Sequence, residues 1–304
     1  MGDMAPIAVF AYRRPGHLRR TLESLKLCEG FDHSPVIVYG DGPRNNEDIQ
    51  AVQETRDVAV EMLGDRAKYH FSDTNRGLAS SIISGVSQVL DRYGNIIVIE
   101  DDLELGRNFL TFMNRALEQY DSDKHVFQVS GYMYEVEELK HSNTAVFLPI
   151  TVSWGWATWQ RAWESFDSRA TGWEQLNQDK SLRHRFNQNG VYDYASMLSR
   201  QMSGKGESWA IRWYWSVFKQ NGLIVFPPSS LVNNIGFDGT GTHGRGVFRS
   251  FTGTAKTEAV LDIHLPAEAE LDPLVHAYAI KALERQNGGL LSRIFDRFRR
   301  ILSF

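Results

Sequence analysis

Three consecutive carboxylates follow an apolar, β-forming run in the stretch NIIVIEDDLE, residues 95–104. We call these residues, Glu100, Asp101 and Asp102, the acidic triplet. Their charges repel one another unless a positive group lies among them. Mg²⁺ and Mn²⁺ bind carboxylates together with phosphate oxygens and waters. The triplet therefore indicates either a divalent-cation site for a phosphate-bearing substrate or a solvated acidic turn.

Two earlier apolar runs also end in polar side chains. PIAVFAY leads into Arg13 and Arg14, and VIVYG leads into Asp41. The carboxyl ends of parallel strands meet at one edge of an open sheet, where ligands bind. We therefore expect these residues beside the acidic triplet. Surface arginines and an ordinary Asp-Gly-Pro turn would give the same sequence, so the structural alternatives stay open.

The elements that must hold these side chains alternate between strand-like and helix-like patterns over the first hundred residues. The pattern that begins at Pro15 repeats leucine at 18, 22 and 25, which predicts an amphipathic helix. Such alternation predicts an α/β fold with a parallel sheet. From residue 104 onward the pattern is less regular, and the eight tryptophans of the chain all lie between 154 and 215.

Composition narrows the range of functions. The chain has 304 residues, 23% of them charged, and a formal net charge of −4, so it has no global positive field for a nucleic acid. Its single cysteine excludes an internal disulfide and predicts a reducing compartment. No stretch approaches the roughly 20 apolar residues of a membrane-spanning helix. These features predict a cytoplasmic protein that binds no nucleic acid.

The acidic triplet has a wider sequence context. Together with NRGLASSIISGV (75–86) and IAVFAYRRPGHLRRTLESL (7–25), VIEDDLE resembles the nucleotide-sugar-binding half of the GT-A glycosyltransferases. Within that group it is most similar to the N-acetylglucosaminyltransferase I-like enzymes, which carry an E-D-D version of the metal-binding D-x-D motif. The resemblance covers roughly residues 6–245. It implies a GT-A type, Rossmann-like nucleotide-sugar-binding sheet with a mixed acceptor lobe, a UDP-sugar donor, and Mn²⁺ or Mg²⁺ as cofactor.

The resemblance also implies roles for the acidic triplet and for the end of the first strand. Asp102 would ligate the metal on the donor diphosphate, while Glu100 and Asp101 would contact the ribose and the sugar of the donor. Arg14, with Arg13 as the near alternative, would contact the base or the phosphates.

The same resemblance places further donor contacts after the second strand and in NRGL. Asp41 would accept a hydrogen bond from the uracil N–H. Asn75 is suited to cap the helix that follows, and Arg76 to reach a phosphate. Both are candidate nucleotide-sugar contacts.

A tryptophan-rich segment, VSWGWATWQRAW, resembles the loop that closes over the donor sugar in this family. Trp154, Gly155 and Trp156 are candidate contacts, since an indole offers an apolar face and an N–H to a sugar ring. Trp159 and Trp163 stand at helical spacing and are expected in the core instead.

A carboxylate that takes the proton of the acceptor hydroxyl is required for direct displacement with inversion. In the similar enzymes it comes from an acidic pair before a tryptophan, and the matching stretch here, GKGESWAIRWYW, offers Glu207 in the first turn of a helix, with Ser208 in the place of the second acid. Asp238 is the reserve candidate for the catalytic base. His243, in the glycine-rich loop after it, is a candidate ligand of the diphosphate or the metal.

The end of the chain, residues 290–304, has apolar residues on one helical stripe and carries four arginines against one aspartate. This pattern is typical of an amphipathic helix on an anionic membrane surface, with docking on the enzyme or on a second subunit as the alternative. We expect a nucleotide-sugar-binding half at 1–103, an acceptor-binding half at 104–250 and a helical tail at 251–304.

The resulting hypothesis is a bacterial, metal-dependent glycosyltransferase on the inner face of the cell membrane. It would transfer a hexose or N-acetylhexosamine, with N-acetylglucosamine as the family's lead, to a lipid-linked or surface polysaccharide such as lipopolysaccharide. A sugar nucleotidyltransferase is disfavoured because no G-x-G-x-R phosphate loop follows the first strand. A non-catalytic carbohydrate-binding protein could use the tryptophans, but it would not need a metal-diphosphate site.

Overall fold

The computed structural model describes residues 4–206, 208–238 and 262–286. The strands in these ranges are β1 (Ile7–Ala11), β2 (Val36–Gly40), β3 (Ala67–Phe71), β4 (Asn95–Glu100), β5 (Leu103–Leu105), β6 (Val126–Ser130), β7 (Val146–Leu148), β8 (Trp156–Trp159), β9 (Leu223–Phe226) and β10 (Val232–Asn234). The helices are α1 (Pro15–Lys26), α2 (Ile49–Leu63), α3 (Leu78–Tyr93), α4 (Phe109–Gln119), α5 (Gln160–Trp163), α6 (Gln175–Gln178), α7 (Lys180–Phe186), α8 (Tyr194–Met202), α9 (Trp209–Lys219) and α10 (Pro273–Gln286).

Eight strands form one sheet in the order β3-β2-β1-β4-β8-β6-β9-β7. β1 to β4 are mutually parallel, and β8 runs antiparallel to both of its neighbours, β4 and β6. The first half of the sheet is thus a parallel α/β unit, and the second half is mixed. This arrangement confirms the predicted α/β class.

The strand order creates a switch point between β1 and β4. From β1 the chain builds outward through β2 to β3, then returns to pair β4 on the other side of β1. In open parallel sheets, ligands bind in the crevice outside the carboxyl ends of the two strands at such a point. The residues that follow β1 and β4 therefore flank the expected binding crevice.

The helix predicted from Pro15 forms as α1. Its spaced leucines, Leu18, Leu22 and Leu25, are fully buried, while Pro15 takes the first turn, where its missing N–H costs no helical hydrogen bond. α3 buries Ile82, Val86, Val89 and Leu90 in the same way. The buried face of α1 confirms the periodicity predicted from its leucines.

Tryptophans pack the centre of the mixed half. Trp159 and Trp163 are buried, as their spacing predicts. The Trp159 indole N–H donates to the Leu117 carbonyl at 2.9 Å, and that of Trp213 donates to Gln128 Oε1 at 2.7 Å. Trp163 stacks on Phe166 with ring centroids 4.5 Å apart. The rings of Trp159 and Trp213 are therefore buried without an unpaired indole donor.

α10 packs on the rest of the chain through Ala279, Ala282 and Leu283, and its Gln286 exchanges hydrogen bonds with the hydroxyl of Tyr132. The segment 290–304, predicted as a membrane-surface helix, lies outside the described residues. None of the helices within the described ranges is long and apolar enough to span a membrane.

Gln128→Leu tests the buried polar core. Gln128 is fully buried, accepts from Trp213 and donates from Nε2 to the Val152 carbonyl at 2.7 Å. Leucine would leave both partners unpaired, so the free energy of unfolding should fall by about 2–5 kcal/mol. The exposed Gln119, which also donates to carbonyls, is the control, and Gln119→Leu should cost under about 1 kcal/mol. Urea denaturation measures both, and equal losses would contradict the expectation.

Candidate functional site

The acidic triplet lies where β4 ends and the chain turns into β5. Glu100 is the last residue of β4, and β5 is held by antiparallel pairing with β10. Thr21 of α1 fixes the turn, since its hydroxyl donates to the Asp101 carbonyl at 2.9 Å and accepts from the Leu103 N–H at 3.2 Å. All three carboxylates of the triplet are half-buried.

Burial raises the pKa of each carboxyl group in the triplet. For Glu100 and Asp101 the neighbouring carboxylates raise the pKa further, whereas Arg14 lowers it for all three. The site therefore disfavours its own negative charge unless a cation is close. Carboxylate oxygens whose charge needs a nearby cation are suitable ligands for Mg²⁺ or Mn²⁺.

Arg14 is the cation that contacts the triplet directly. Its Nη1 lies 3.0 Å from Oδ2 of Asp102, and the two side chains are 15% and 21% exposed. The segment after β10 covers this pair. The Ile235 N–H donates to the Asp102 carbonyl at 2.9 Å, and a Cβ on Gly236 would overlap Asp102 Oδ2 and lie 3.0 Å from Arg14 Nη1.

A second pair joins α1 to the same covering segment. Nε2 of His17 lies 3.1 Å from Oδ2 of Asp238. His17 also lowers the pKa of Asp102 through its charge. Asp238, the reserve candidate for the catalytic base, is thus within the same constellation as Asp102, although its sequence position is more than a hundred residues away.

The two consecutive arginines after β1 point to different partners. Arg13 pairs with Asp48, whereas Arg14 pairs with Asp102. Tyr12 lies between the two groups. Its N–H donates to Asp101 Oδ2 at 3.1 Å, and its hydroxyl donates to Asp48 Oδ2 at 2.7 Å. Of the two arginines, Arg14 is the one placed at the acidic triplet.

Asp41 anchors the loop that precedes α3. One of its carboxylate oxygens accepts from the N–H groups of Gly42 at 2.9 Å and Arg76 at 2.8 Å. The other accepts from the Gly77 N–H at 2.9 Å and from Asn75 Nδ2 at 3.2 Å. A carboxylate has about four acceptor positions, so these donors occupy it. A uracil N–H would have to displace one of them.

The predicted helix cap at Asn75 is wrong. α3 begins at Leu78 with Gly77 at its N-cap, and no side chain caps it. Asn75 instead donates to Asp41 and to the Gly42 carbonyl at 2.8 Å. Arg76 is exposed and lines a cavity of about 250 Å³ between α3 and the ends of β2 and β3. Rings of Tyr39 and His70, stacked at 5.1 Å, form part of that cavity's lining.

The tryptophan segment splits into a surface part and a core part. Trp154 is half-buried and packs edge-on against Tyr132 at 4.6 Å and Phe237 at 5.6 Å. Gly155 has a φ of +60°, which favours glycine. Trp156 needs a correction: it is the first residue of β8, is fully buried and stacks on Trp209, so it cannot face a sugar in this conformation.

Two candidates from the sequence, Glu207 and His243, lie outside the described residues. The helix expected to carry Glu207 in its first turn begins instead at Trp209, with Ser208 as its N-cap accepting from the Ile211 N–H at 3.3 Å. Within the described ranges, no group of three or more His, Cys, Asp or Glu side chains is arranged to hold a metal ion. A cation at Asp102 would therefore complete its shell with substrate oxygens, water or residues outside those ranges.

Sequence reasoning missed Tyr12, His17, Gly236 and Phe237. Tyr12 and His17 flank the quoted arginines, so their position near a strand end was a usable signal. Nothing in the sequence links Gly236 to Asp102, because that contact depends on the pairing of β10 with β5.

No protein-family model matches this chain. Among solved structures, GalNAc-T7 with UDP, GalNAc and Mn²⁺ is similar at 10% identity and a TM-score of 0.48, over 77% of this chain and 44% of that one. The chain thus spans less than half the length of GalNAc-T7.

Two further solved structures are similar over parts of the chain. Glucosyl-3-phosphoglycerate synthase from Mycobacterium tuberculosis, in complex with Mn²⁺, UDP and glucosyl-3-phosphoglycerate, has 11% identity and a TM-score of 0.34, over 53% of this chain and 59% of that one. Mouse xyloside xylosyltransferase 1 has 13% identity and a TM-score of 0.35, over 71% and 81%. At these values the likenesses decide neither the family nor the reaction.

Asp41→Asn tests the anchored loop. The new amide would place a donor against donors, so amide hydrogen exchange at Arg76 and Gly77 should accelerate by about tenfold or more. Exchange followed by NMR or mass spectrometry measures this. Asp65→Asn, at an exposed carboxylate, is the matched control and should leave exchange at both amides unchanged. Unaltered protection in Asp41→Asn would refute the anchoring role.

Gly236→Ala tests the close approach to Asp102. The added methyl group would displace the Asp102 carboxylate, so if that carboxylate ligates Mn²⁺, the affinity for Mn²⁺ measured with UDP present should fall by about tenfold or more. Gly16→Ala is the matched control in α1, because a Cβ there meets nothing within 4 Å. Electron paramagnetic resonance of free Mn²⁺ gives both affinities, and equal values in the two variants would contradict the steric argument.

Proposed function

We propose that this chain is a metal-dependent GT-A glycosyltransferase that transfers a sugar from a UDP-sugar to a glycan acceptor. The main support for this proposal is the half-buried acidic triplet at the end of β4, which faces Arg14 across the switch point between β1 and β4. Carboxylates and an arginine at this place suit a cation and a diphosphate.

Asp102 is the proposed metal ligand. It is exposed enough to be reached, and the burial that raises its pKa also strengthens its attraction to a bound cation. The metal would supply positive charge where the diphosphate leaves, which is where negative charge develops in the transition state. Glu100 and Asp101 are proposed to contact the ribose and the sugar of the donor, with Asp101 held by the Tyr12 N–H.

The nucleoside is proposed to lie along the ends of β1 and β2. Tyr12 presents a ring that Asp48 and the Arg44 N–H hold at its hydroxyl. The loop anchored by Asp41 places Arg76 at the nearby cavity. Positioning this loop is the role that the four donors to Asp41 support, and a contact from Asp41 to uracil would require one of them to leave.

The donor sugar and the acceptor are proposed to meet between Trp154 and the segment after β10. Phe237 in that segment is 39% exposed and packs edge-on against Trp154. Such apolar edges suit the C–H face of a sugar. Glu207 remains the proposed base for an inverting reaction, with Asp238 as the alternative, and His243 remains a proposed ligand of the diphosphate or the metal.

The core position of most tryptophans weakens the carbohydrate-binding alternative. Six of the eight are buried: Trp156, Trp159, Trp163, Trp209, Trp213 and Trp215. These rings build the mixed half of the sheet instead of a sugar platform. We also propose that the acceptor is lipid-linked and that segment 290–304 contacts the inner membrane face. Liposome sedimentation of the chain without that segment would test the membrane contact.

Asp102→Ala tests the proposed function. In the wild-type protein UDP should bind in the presence of Mn²⁺ and lose most of its affinity in EDTA. The variant should bind UDP in Mn²⁺ at least about 100-fold more weakly, with an unchanged circular dichroism spectrum. Glu104→Gln alters a carboxylate two residues further on that pairs with Arg20, and it should retain binding. Isothermal titration calorimetry measures all three, and wild-type affinity that EDTA does not alter would sink the assignment.

A further inference from the structure

The Arg14 guanidinium contacts one of the two Asp102 carboxylate oxygens at which a cation would bind. Arg14 Nη1 lies 3.0 Å from Asp102 Oδ2, and Gly236 packs against both groups without a side chain between them. The segment after β10 therefore encloses the pair from one side. An ion approaching that oxygen meets a positive charge already in contact with it.

This pairing has an electrostatic cause. Burial disfavours the ionised form of all three carboxylates, repulsion by neighbouring carboxylates adds to this for Glu100 and Asp101, and the charge of Arg14 has the opposite effect on each of them. Without a divalent ion, the positive charge of Arg14 favours the ionised form of these carboxylates. With an ion on Asp102, the same guanidinium would be repelled at short range.

A departure of Arg14 from Asp102 would involve its side chain alone. The Arg14 backbone carbonyl accepts the first hydrogen bond of α1, from the Leu18 N–H at 3.0 Å, which holds the main chain in place. A diphosphate in the crevice would offer oxygens that suit the guanidinium fork.

We propose that Arg14 is the resident counter-ion of Asp102 and moves to the donor diphosphate as the metal enters, so that metal and nucleotide bind cooperatively. This inference rests on the proposed function. Metal alone must compete with Arg14 for the oxygen. Metal together with UDP does not, because the diphosphate has drawn Arg14 away. Linkage then requires each ligand to tighten the other by the same factor.

Arg14→Gln tests the handover in the full-length chain. Mn²⁺ is titrated alone, with saturating UDP, and with uridine, which has no phosphate. For the wild type we expect UDP, but not uridine, to tighten Mn²⁺ binding by about 5- to 150-fold. In Arg14→Gln, Mn²⁺ alone should bind about tenfold more tightly, and the tightening by UDP should shrink by a similar factor. Part of the coupling remains, because phosphate oxygens still coordinate the ion.

Two variants control for charge and for folding. Arg20→Gln removes the same charge from α1, but Arg20 pairs with Glu104 on the surface, so both Mn²⁺ affinities should stay at the wild-type values. Arg14→Lys keeps a charge without the planar fork and should fall between the wild type and Arg14→Gln. It also keeps the test open if Arg14→Gln fails to fold, which thermal denaturation would show.

The outcomes separate the handover from the proposed function. Weaker or unchanged binding of Mn²⁺ alone in Arg14→Gln, or an unchanged coupling factor, overturns the handover while leaving the metal site in place. Equal tightening in Arg20→Gln overturns it too, because the effect would then be one of net charge. A wild-type chain that binds neither Mn²⁺ nor UDP overturns the proposed function, and the handover with it.

Discussion

The three carboxylates at the end of β4 are the main electrostatic constraint on this structure. Burial raises the pKa of all three carboxyl groups of the triplet, and repulsion by neighbouring carboxylates raises it further for Glu100 and Asp101, so favourable partners are needed beside them. The fold places three such partners there: the guanidinium of Arg14 at Asp102, the Tyr12 N–H at Asp101, and the charge of His17 on Asp102. All three partners come from β1's end or from the first turn of α1, which the parallel pairing of β1 with β4 places next to Glu100.

The mixed half of the sheet also contributes residues to the edge where β4 ends. β8 begins at Trp156, whose backbone pairs with Val98 of β4 and with Ser130 at the end of β6. The residues just before β8, including Trp154, therefore emerge beside the ends of β4 and β6. Burial of Trp156 and its stacking on Trp209 fix that point, so the core ring positions the surface ring two residues earlier.

The sequence correctly predicted the elements that depend on residues close together in the chain. Leucine spacing gave the buried face of α1, and the apolar run before Glu100 gave β4, because both depend on residues within a few positions. The errors concern partners that are distant in sequence. Asn75 follows the rule for a helix cap, yet Asp41 and Gly42 are its partners. Trp156 was predicted to contact a ligand because its neighbours suggest a loop. It is buried because it stacks on Trp209, which is distant in sequence and which no spacing rule connects to it.

Tyr12 shows how one residue ties the separate parts of the site together. Its backbone N–H donates to Asp101 in the triplet, while its hydroxyl donates to Asp48 and accepts from the Arg44 N–H in the segment after β2. Arg13 pairs with the same Asp48, whereas Arg14, the next residue, pairs with Asp102. The two consecutive arginines in the turn between β1 and α1 thus reach different carboxylates. The register of β1 against β4 pairs Phe10 with Glu100 and so brings the residues after β1 to the triplet. The register itself is held by the fully buried residues Ile7, Ala8 and Val9, which links the charge balance of the site to the apolar packing of its first strand.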